Sequence, residues 1–237
     1  MDLSIVIPVH NEAENIGVLI KEIVDSMINI KYEIIVVDDD SSDNTLDVLS
    51  EMKIKIDNLR IIKHSANYGQ SFAIKSGIEH AKSDWIATLD GDGQNDPSDI
   101  LRLFNILLTM KKNKNIMIAG HRVVRKDSFL KKFSSKYANK VRDFLLKDSI
   151  PDTGCGLKIF NKYCFDKLPF FNHIHRYLPA LHIANCGDVV SVEVNHRERE
   201  RGVSKYGFNN RFWVGIIDLL GVLWLQKKSK KIEYKEL

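Results

Sequence analysis

The 237-residue sequence lacks a long hydrophobic run, because no stretch of about 18 apolar residues is free of charge. It also lacks a basic leader, since Asp2 directly precedes a strand-like apolar segment. We therefore expect neither a membrane-spanning helix nor a signal peptide. Only three cysteines occur and none forms a C-x-x-C pair, which is typical of reduced cysteines in a cytoplasmic protein.

Two common site signatures are also missing. No G-x-G-x-x-G follows the first apolar segment, which disfavours an ordinary dinucleotide-binding fold. His173 and His175 have no further His or Cys at ligand spacing, which disfavours a zinc site there. The net charge of +4 is too small to identify a partner by itself, and we expect no nucleic-acid partner.

The apolar segments alternate with helical patterns along the first half of the chain. Strands are predicted at 3–7, 32–37, 59–62, 85–89 and 116–119, with later short strands at 157–160 and 188–194. Strand–helix alternation predicts an α/β fold whose mostly parallel sheet carries helices on both faces. An apolar content of 44% lets one large domain bury a sizeable core.

Acidic residues close two of these strands. Asp90 and Asp92 follow the fourth strand with Gln94 close behind, and such hard oxygen ligands suit Mg²⁺ or Mn²⁺. Asp38 and Asp39 end the second strand, where a carboxylate can accept from a base N–H or from ribose hydroxyls. In open α/β sheets ligands bind at such strand ends. The alternatives are a solvated acidic turn and a polar loop.

Basic residues concentrate in two later segments. Residues 122–147 form a basic amphipathic pattern, which indicates either a solvated helix or contact with an anionic membrane or a phosphate acceptor. Residues 196–207 combine phosphate donors with glycines, which indicates a phosphate-binding loop or a plain surface loop.

The segment 208–237 is predicted to be an amphipathic helix with a basic tail. From Phe212 to Leu225 most large apolar residues fall on one face, whereas Gly215, Asp218 and Gly221 fall on the other. Four lysines follow, at 227, 228, 230 and 231. The pattern predicts a helix that lies on a membrane surface; a core helix or a dimer contact are the alternatives.

Five motifs in order resemble family 2 glycosyltransferases, in particular the dolichol-phosphate mannose synthase-like branch. They are Ile7-Pro8-Val9-His10-Asn11-Glu12, Asp38-Asp39-x-Ser41-x-Asp43-x-Thr45, Asn67-x-Gly69, Asp90-Gly91-Asp92-x-Gln94 and Arg199-x-x-Gly202-x-Ser204-Lys205. The similarity runs from about residue 3 to 225. It implies a GT-A fold over residues 1–207 and inverting transfer of a hexose from GDP-mannose or a UDP-sugar to dolichyl or undecaprenyl phosphate.

The resemblance also implies roles for individual residues. Metal is expected at Asp90, Asp92 and Gln94, and nucleotide at Pro8, Asn11, Glu12, Asp38, Asp39, Asn67, Gly69 and Asp90. Phosphate is expected at Arg122, Arg199, Ser204 and Lys205, and Asp92, Arg122, Arg199 and Lys205 are the expected catalytic residues. The enzyme is expected on the cytoplasmic face of a membrane, as a peripheral protein and a possible homo-oligomer.

His10 departs from the family pattern, because many members carry Tyr or Phe there. The Q-x-x-R-W motif of processive synthases is absent, which argues against polysaccharide synthesis. Two rival interpretations stay open, namely sugar transfer to a hydroxyl acceptor in cell-surface glycan synthesis and a non-catalytic nucleotide-sugar binding module.

Overall fold

The structure is a computed structural model that describes residues 1–110, 115–122, 142, 145, 146, 148, 150–198 and 208–228, with the side chains of the last segment described from residue 215. Its strands are β1 (Leu3–Val9), β2 (Tyr32–Asp38), β3 (Leu59–Lys63), β4 (Trp85–Thr88), β5 (Met117–Arg122), β6 (Lys158–Asn161) and β7 (Val189–Val194). Its helices are α1 (Ala13–Ser26), α2 (Thr45–Lys55), α3 (Gln70–Glu79), α4 (Ser98–Thr109), α5 (Lys162–Asp166), α6 (Leu178–Asn185) and α7 (Phe208–Lys228), with a 3₁₀ turn at Ile174–Arg176.

The seven strands form one sheet in the order β3-β2-β1-β4-β6-β5-β7. Strands β1 to β4 are parallel, and β5 is parallel to β7, whereas β6 is antiparallel to both β4 and β5. The predicted mostly parallel α/β sheet is therefore confirmed. Because β6 runs in the opposite direction, the turn that leads into it lies at the same edge as the carboxyl ends of β1, β2 and β4.

Apolar side chains pack on both faces of the sheet. The cluster on one face includes Leu19 of α1, Leu49 of α2 and Leu103 of α4. The cluster on the other includes Ile74 of α3 and Leu181 of α6. Burial on two faces explains why the parallel strands read as continuous apolar runs rather than as alternating ones.

Helix α3 lies unusually close to the sheet at Gly77. A Cβ atom at this position would stand 2.4 Å from Cγ1 of Val6 on β1, so only glycine fits. Ala73, Gly77 and Ala81 recur at every fourth position of the sequence, a spacing of small residues that favours close packing of a helix on a sheet. The amino end of α3, which carries Gln70, is thereby held next to the strand ends.

Helix α7 lies against the domain and leaves one side uncovered. Asp218 and Gly215 face the domain, where they contact His173 and Tyr177 respectively, and Val222 is fully buried. Ile217, Leu220 and Trp224 point outward and are 69%, 60% and 61% exposed. We call these three residues the outer stripe. Apolar residues therefore occur on both sides of the helix: Val222 packs against the core, and the outer stripe is left uncovered.

Within the described residues, none of the helices is both long enough and apolar enough to cross a bilayer. The lysines at 230 and 231 and most of the basic segment 122–147 lie outside the described residues.

Candidate active site

A cleft of about 750 Å³ opens at the carboxyl edge of the parallel strands. Its walls are the ends of β1 and β4, the loop before α3, the turn before β6 and the segment 172–178. These parts come from distant stretches of the chain and meet here because the strand ends share one edge. Of the acidic and basic residues singled out in the sequence, the cleft contains Glu12, Asp39, Asp90, Asp92 and Arg122.

The acidic turn after β4 forms the floor of this cleft. Asp90, Asp92 and Gln94 all line it, as the motif predicted. Asp92 Oδ1 accepts a hydrogen bond from the backbone N–H of Gln94 at 3.1 Å, which closes the turn. Burial, with a further contribution from the neighbouring charge of Asp92, raises the pKa of Asp90 to about 6.

A second turn presses directly on the carboxylate of Asp90. A Cβ atom on Gly156 would stand 2.3 Å from Oδ2 of Asp90, so only glycine fits at this position. Thr88 Oγ1 donates to the carbonyl of Gly156 at 2.7 Å and thereby fixes the two segments together. Gln70 Nε2 donates to Asp90 Oδ1 at 2.8 Å from the other side. The orientation of Asp90 is therefore set by three separate parts of the chain.

A buried lysine lies beside this turn. Lys158 on β6 is 3% exposed, and its ammonium donates to the carbonyl of Cys155. Burial lowers the pKa of Lys158, an effect that the charges of Asp90 and Asp152 oppose. Because Lys158 also lowers the pKa of Asp90, the two groups stabilise each other's charged forms.

Arg122 is held in a fixed orientation by Asp152. Its Nε and Nη2 donate to the two oxygens of Asp152 at 2.6 and 2.9 Å, and its backbone N–H donates to Oδ2 at 3.2 Å. Burial alone would lower the pKa of Arg122, but the hydrogen bond and charge of Asp152 raise it above its ordinary value. This paired guanidinium lines the cleft and stays charged, as a phosphate ligand must.

Asp39 organises the nucleotide side of the cleft. Its carboxylate accepts from the N–H groups of Tyr68 and Gly69 at 3.0 and 2.7 Å and lies 2.7 Å from Nδ1 of His64. A carboxylate has about four acceptor positions, so one remains for a ligand. Asp39 thus holds the Asn67–Gly69 loop against the cleft while lining it.

The other predicted nucleotide residues divide into two groups. Pro8, Glu12, Asn67 and Gly69 line the cleft, together with His10. Asn11 does not line it; the side-chain oxygen of Asn11 instead accepts from the N–H groups of Ser42 and Asp43 at 2.7 and 3.3 Å. Asp38 is fully buried behind Asp39 and accepts from the N–H of Ser41 at 3.2 Å. Among the described residues no donor reaches its Oδ2.

The end of β7 brings the chain back to the acidic turn. The N–H of Arg197 donates to the carbonyl of Gln94 at 2.8 Å, and Asn95 and His196 form a β-bridge. The N–H of Asn195 donates to Oδ2 of Asp99 at 2.7 Å. Arg199, Ser204 and Lys205 follow this point in the sequence but lie outside the described residues.

Histidines form part of the wall opposite the acidic turn. His175 Nδ1 lies 2.7 Å from Oγ of Ser71, and burial lowers its pKa to about 3, with Arg176 as the next cause. His173 has a positive φ of 68° and contacts Asp218 of α7. The two histidines thus contact different partners, Ser71 and Asp218.

Several residues of the site were not identified from the sequence. These are Gln70, Asp152, Lys158, His175 and Arg176, all of which line the cleft or orient a residue that does. One signal was present, because Lys158 is a lone charge within the apolar run 157–160. The pairing of Asp152 with Arg122 left no signal, since 30 residues separate them.

The residues around Asp90 fit a divalent cation. Two carboxylates and one amide side chain line the cleft from the same turn, and they carry the hard oxygen donors that Mg²⁺ and Mn²⁺ prefer. The raised pKa of Asp90 reflects the cost of burying one carboxylate beside another, a cost that a cation at this point offsets.

Residues 4–168 match the family model described as glycosyl transferase family 2. A dodecaprenyl-phosphate galacturonate synthase from Rhizobium johnstonii is 34% identical over 234 residues, which cover 96% of this chain and 68% of that protein. An undecaprenyl-phosphate 4-deoxy-4-formamido-L-arabinose transferase from Proteus mirabilis is 34% identical over 209 residues, covering 87% and 63%. The chain thus spans about two thirds of the length of these relatives.

Solved structures share the fold at low sequence identity. A glucosyl-3-phosphoglycerate synthase from Mycobacterium tuberculosis, in complex with Mn²⁺, UDP-glucose and phosphoglyceric acid, has a TM-score of 0.68 at 15% identity over 95% of this chain and 79% of that one. A mannosyltransferase from Pyrobaculum calidifontis with GDP-mannose and Mn²⁺ has a TM-score of 0.68 at 16% identity, covering 97% and 65%. The predicted GT-A architecture is confirmed by this likeness.

Proposed function

The chain belongs to glycosyl transferase family 2, and from this we propose that it transfers a hexose from a nucleotide sugar to a polyprenyl phosphate, with inversion at the anomeric carbon. The donor is GDP-mannose or a UDP-sugar, and the acceptor is dolichyl or undecaprenyl phosphate. Two relatives at 34% identity carry polyprenyl-phosphate transferase or synthase names, which supports this acceptor class.

The observation that carries the proposal is the juxtaposition of opposite charges in one cleft. Asp90 and Asp92 form its acidic floor, while Arg122 and Lys158 are close enough to lower the pKa of Asp90 through their charges. A metal-bound diphosphate suits the acidic side, and a second phosphate suits the basic side. A reaction between a sugar diphosphate and a lipid phosphate needs both.

On the donor side, we assign the nucleoside to the rim formed by Pro8, His10, Glu12 and Asp39 with the Asn67–Gly69 loop. Asp39 has an acceptor position left for a ribose hydroxyl or a base N–H. Asp90, Asp92 and Gln94 would hold Mg²⁺ or Mn²⁺, whose positive charge stabilises the departing diphosphate when bound.

On the acceptor side, Arg122 presents a guanidinium whose orientation Asp152 fixes through two hydrogen bonds. These bonds use Nε and Nη2, and the remaining N–H donors of the guanidinium would bind a phosphate without further ordering of the side chain, which lowers the entropic cost of positioning. Arg199, Ser204 and Lys205 are proposed to close over the same phosphates. The hydrogen bond between Arg197 and Gln94 supports this, because it delivers the chain to the acidic turn two residues earlier.

The reaction requires no general base if the acceptor is a phosphate. Its oxygen is already anionic near neutral pH and attacks the anomeric carbon from the face opposite the diphosphate. A hydroxyl acceptor would instead have to lose a proton to a side chain. His175 is a poor candidate for that proton, because its pKa is only about 3.

We further propose that the outer stripe of α7 rests on the cytoplasmic surface of a membrane. Its three apolar side chains are exposed, and Lys227 and Lys228 follow at the end of the helix, where they suit anionic headgroups. Asp218 and Val222 attach the opposite side of α7 to the domain. The cleft is thereby held near a lipid phosphate while a nucleotide sugar enters from water.

The test is transfer of radiolabelled sugar from a panel of nucleotide sugars into the organic phase with polyprenyl phosphate. Parallel reactions contain a hydroxyl acceptor of the glycan type, or no acceptor to measure hydrolysis. Label in the lipid fraction that depends on polyprenyl phosphate supports the proposal. Label on the hydroxyl acceptor alone would favour the rival glycosyltransferase function, and binding without any turnover would favour a sensing module.

A further inference from the structure

A cluster of soft ligands lies away from the cleft, where α5, α6 and the start of β5 meet. Cys164 on α5 and Cys186 just after α6 contribute sulfur atoms, and His182 on α6 contributes a ring nitrogen. These three atoms all lie within 4.8 Å of one another. His182 and Cys186 are four residues apart, which places them on the same side of the helix end.

The distances are close to those of a tetrahedral zinc site. With Zn–S bonds of about 2.3 Å, two sulfur ligands are about 3.8 Å apart, so a contraction of at most about 1 Å brings the cluster to ligand spacing. Asn115 Oδ1 stands 3.8 Å from Sγ of Cys164, at a suitable position for a fourth ligand. Helix movements of this size are small for a site formed at the ends of two short helices.

The surroundings of His182 indicate how it is prepared for a cation. Its Nε2 lies 2.9 Å from the carbonyl oxygen of Asn115, and a carbonyl only accepts, so Nε2 carries the proton. In the neutral ring Nδ1 then carries the lone pair. Histidines that bind zinc characteristically donate their other ring N–H to a backbone carbonyl in this way.

The thiols are also suited to ligation. Cys164 is 1% exposed and its thiol donates to Asn115 Oδ1 at 3.8 Å, while the thiol of Cys186 donates to the carbonyl of Cys164 at 3.3 Å, so both sulfur atoms are held within the cluster. Cys186 is partly exposed, so ions can reach the cluster from solvent. Burial by itself does not distinguish a metal site from a packed cysteine; the convergence of two thiols on an oriented imidazole does.

We propose that Cys164, His182 and Cys186 form a structural site for zinc or a similarly soft divalent cation. Binding exchanges the two thiol protons for one Zn²⁺ and ties α5 to α6. Helix α6 begins at Leu178, which lines the catalytic cleft, so the cation stabilises the scaffold behind that wall. The site is independent of the Mg²⁺ or Mn²⁺ expected at Asp90, because its ligands are sulfur and nitrogen rather than oxygen.

The experiment is a Co²⁺ titration of the reduced, metal-free full chain. Cobalt bound to thiolate gives a sulfur-to-metal charge-transfer absorption that carboxylate ligands do not give. We expect the band to saturate at one Co²⁺ per chain and to disappear when Zn²⁺ is added. The variants Cys164→Ser and Cys186→Ser should lose the band, whereas Cys155→Ser should keep it, since Cys155 is the one cysteine outside the cluster.

A second measurement, the Tm with and without Zn²⁺, tests the proposal even if one of the variants folds poorly. Zn²⁺ should raise the Tm of the wild type and of Cys155→Ser, but not that of Cys164→Ser. Absence of the cobalt band in the wild type would overturn the proposal, as would a band that survives in both cluster variants. Oxidation of Cys164 and Cys186 to a disulfide, with no metal binding after reduction, would identify the pair as a redox couple and equally overturn it.

Discussion

His173 and Asp218 link the catalytic cleft to the C-terminal helix, with Nδ1 of His173 2.9 Å from Oδ2 of Asp218. Tyr177 adds a second link, because its hydroxyl donates to the carbonyl of Gly215 at 3.1 Å. Both partners on α7 lie on the side opposite the broad apolar face that the sequence pattern predicts. The helix that presents the outer stripe is therefore fastened to the wall of the cleft.

The variant Asp218→Ala should destabilise the protein by about 1 kcal/mol, because it removes one partly buried hydrogen bond. Urea unfolding followed by circular dichroism measures this, with Asp166→Ala as the control, since Asp166 is exposed on α5. Equal stability of the two variants would show that the contact between His173 and Asp218 does not stabilise the packing of α7 on the domain.

Removing the charge of Asp92 should abolish transfer while the fold persists. Asp92→Asn loses one carboxylate of the cation site, and we expect turnover to fall about 100-fold or more. A chelator should have the same effect on the wild type, reversed by excess Mn²⁺ or Mg²⁺. Asp25→Asn, on the exposed side of α1, is the matched control. Full activity in metal-free buffer would refute the cation site.

Asp152 acts as a positioning residue for Arg122. Asp152→Asn keeps the shape of the side chain but removes the charge that orients the guanidinium, so transfer should fall by up to about 100-fold. We expect the KM for polyprenyl phosphate to rise and the Kd of the nucleotide to stay constant. An equal loss of nucleotide binding would instead indicate a structural defect. The variant Arg122→Lys should also have low activity, because an ammonium group lacks the planar arrangement of donors of a guanidinium.

His175 should make the protein less stable in acid. Its pKa is about 3 in the folded state against an ordinary value of 6.5, so below pH 6.5 the unfolded chain binds a proton that the folded chain does not. Its contribution to stability is therefore complete above pH 6.5 and is lost as the pH falls toward 3, by up to about 1.4 kcal/mol per pH unit.

The measurement is the free energy of unfolding in denaturant at several pH values between about 4 and 7, because most of this range lies between the pKa values of His175 in the folded and unfolded chains. His175→Asn should flatten this dependence, whereas His80→Asn, at an exposed histidine, should leave the slope unchanged. Parallel curves for the wild type and His175→Asn would show that His175 titrates normally.

The outer stripe can be tested without disturbing the core. A triple change of Ile217, Leu220 and Trp224 to serine should reduce flotation with anionic liposomes by at least about tenfold, since burying each such side chain is worth about 1.5–3 kcal/mol. Ile54→Ser is the matched control, because Ile54 is 84% exposed on α2. We expect the wild type to bind neutral liposomes less and to dissociate with salt. Flotation that is identical in all three proteins would exclude the stripe as the membrane contact.

The sequence alone determined the architecture and much of the site. Apolar runs of strand length alternating with helical patterns fix an α/β sheet, because each element must bury its apolar side. The sequence also identified site residues that directly follow a predicted strand, such as Asp90, Asp92 and Asp39, because the carboxyl ends of parallel strands share one edge of the sheet. Arg122 was expected from the resemblance to the family and also lines the cleft.

Only the tertiary structure decided which distant residues meet. The insertion of antiparallel β6 between β4 and β5 brings Lys158 and Gly156 beside Asp90, and strand order leaves no trace in a periodic pattern. The tertiary structure also gives two neighbouring residues different positions: Asn11 accepts a hydrogen bond from the loop at Ser42, whereas Glu12 lines the cleft. For α7 the sequence predicts one broad apolar face, but which side of the helix is buried depends on the surface that the domain offers it. The contacts of Asp218 and Val222 decide this, and they leave Trp224 facing outward.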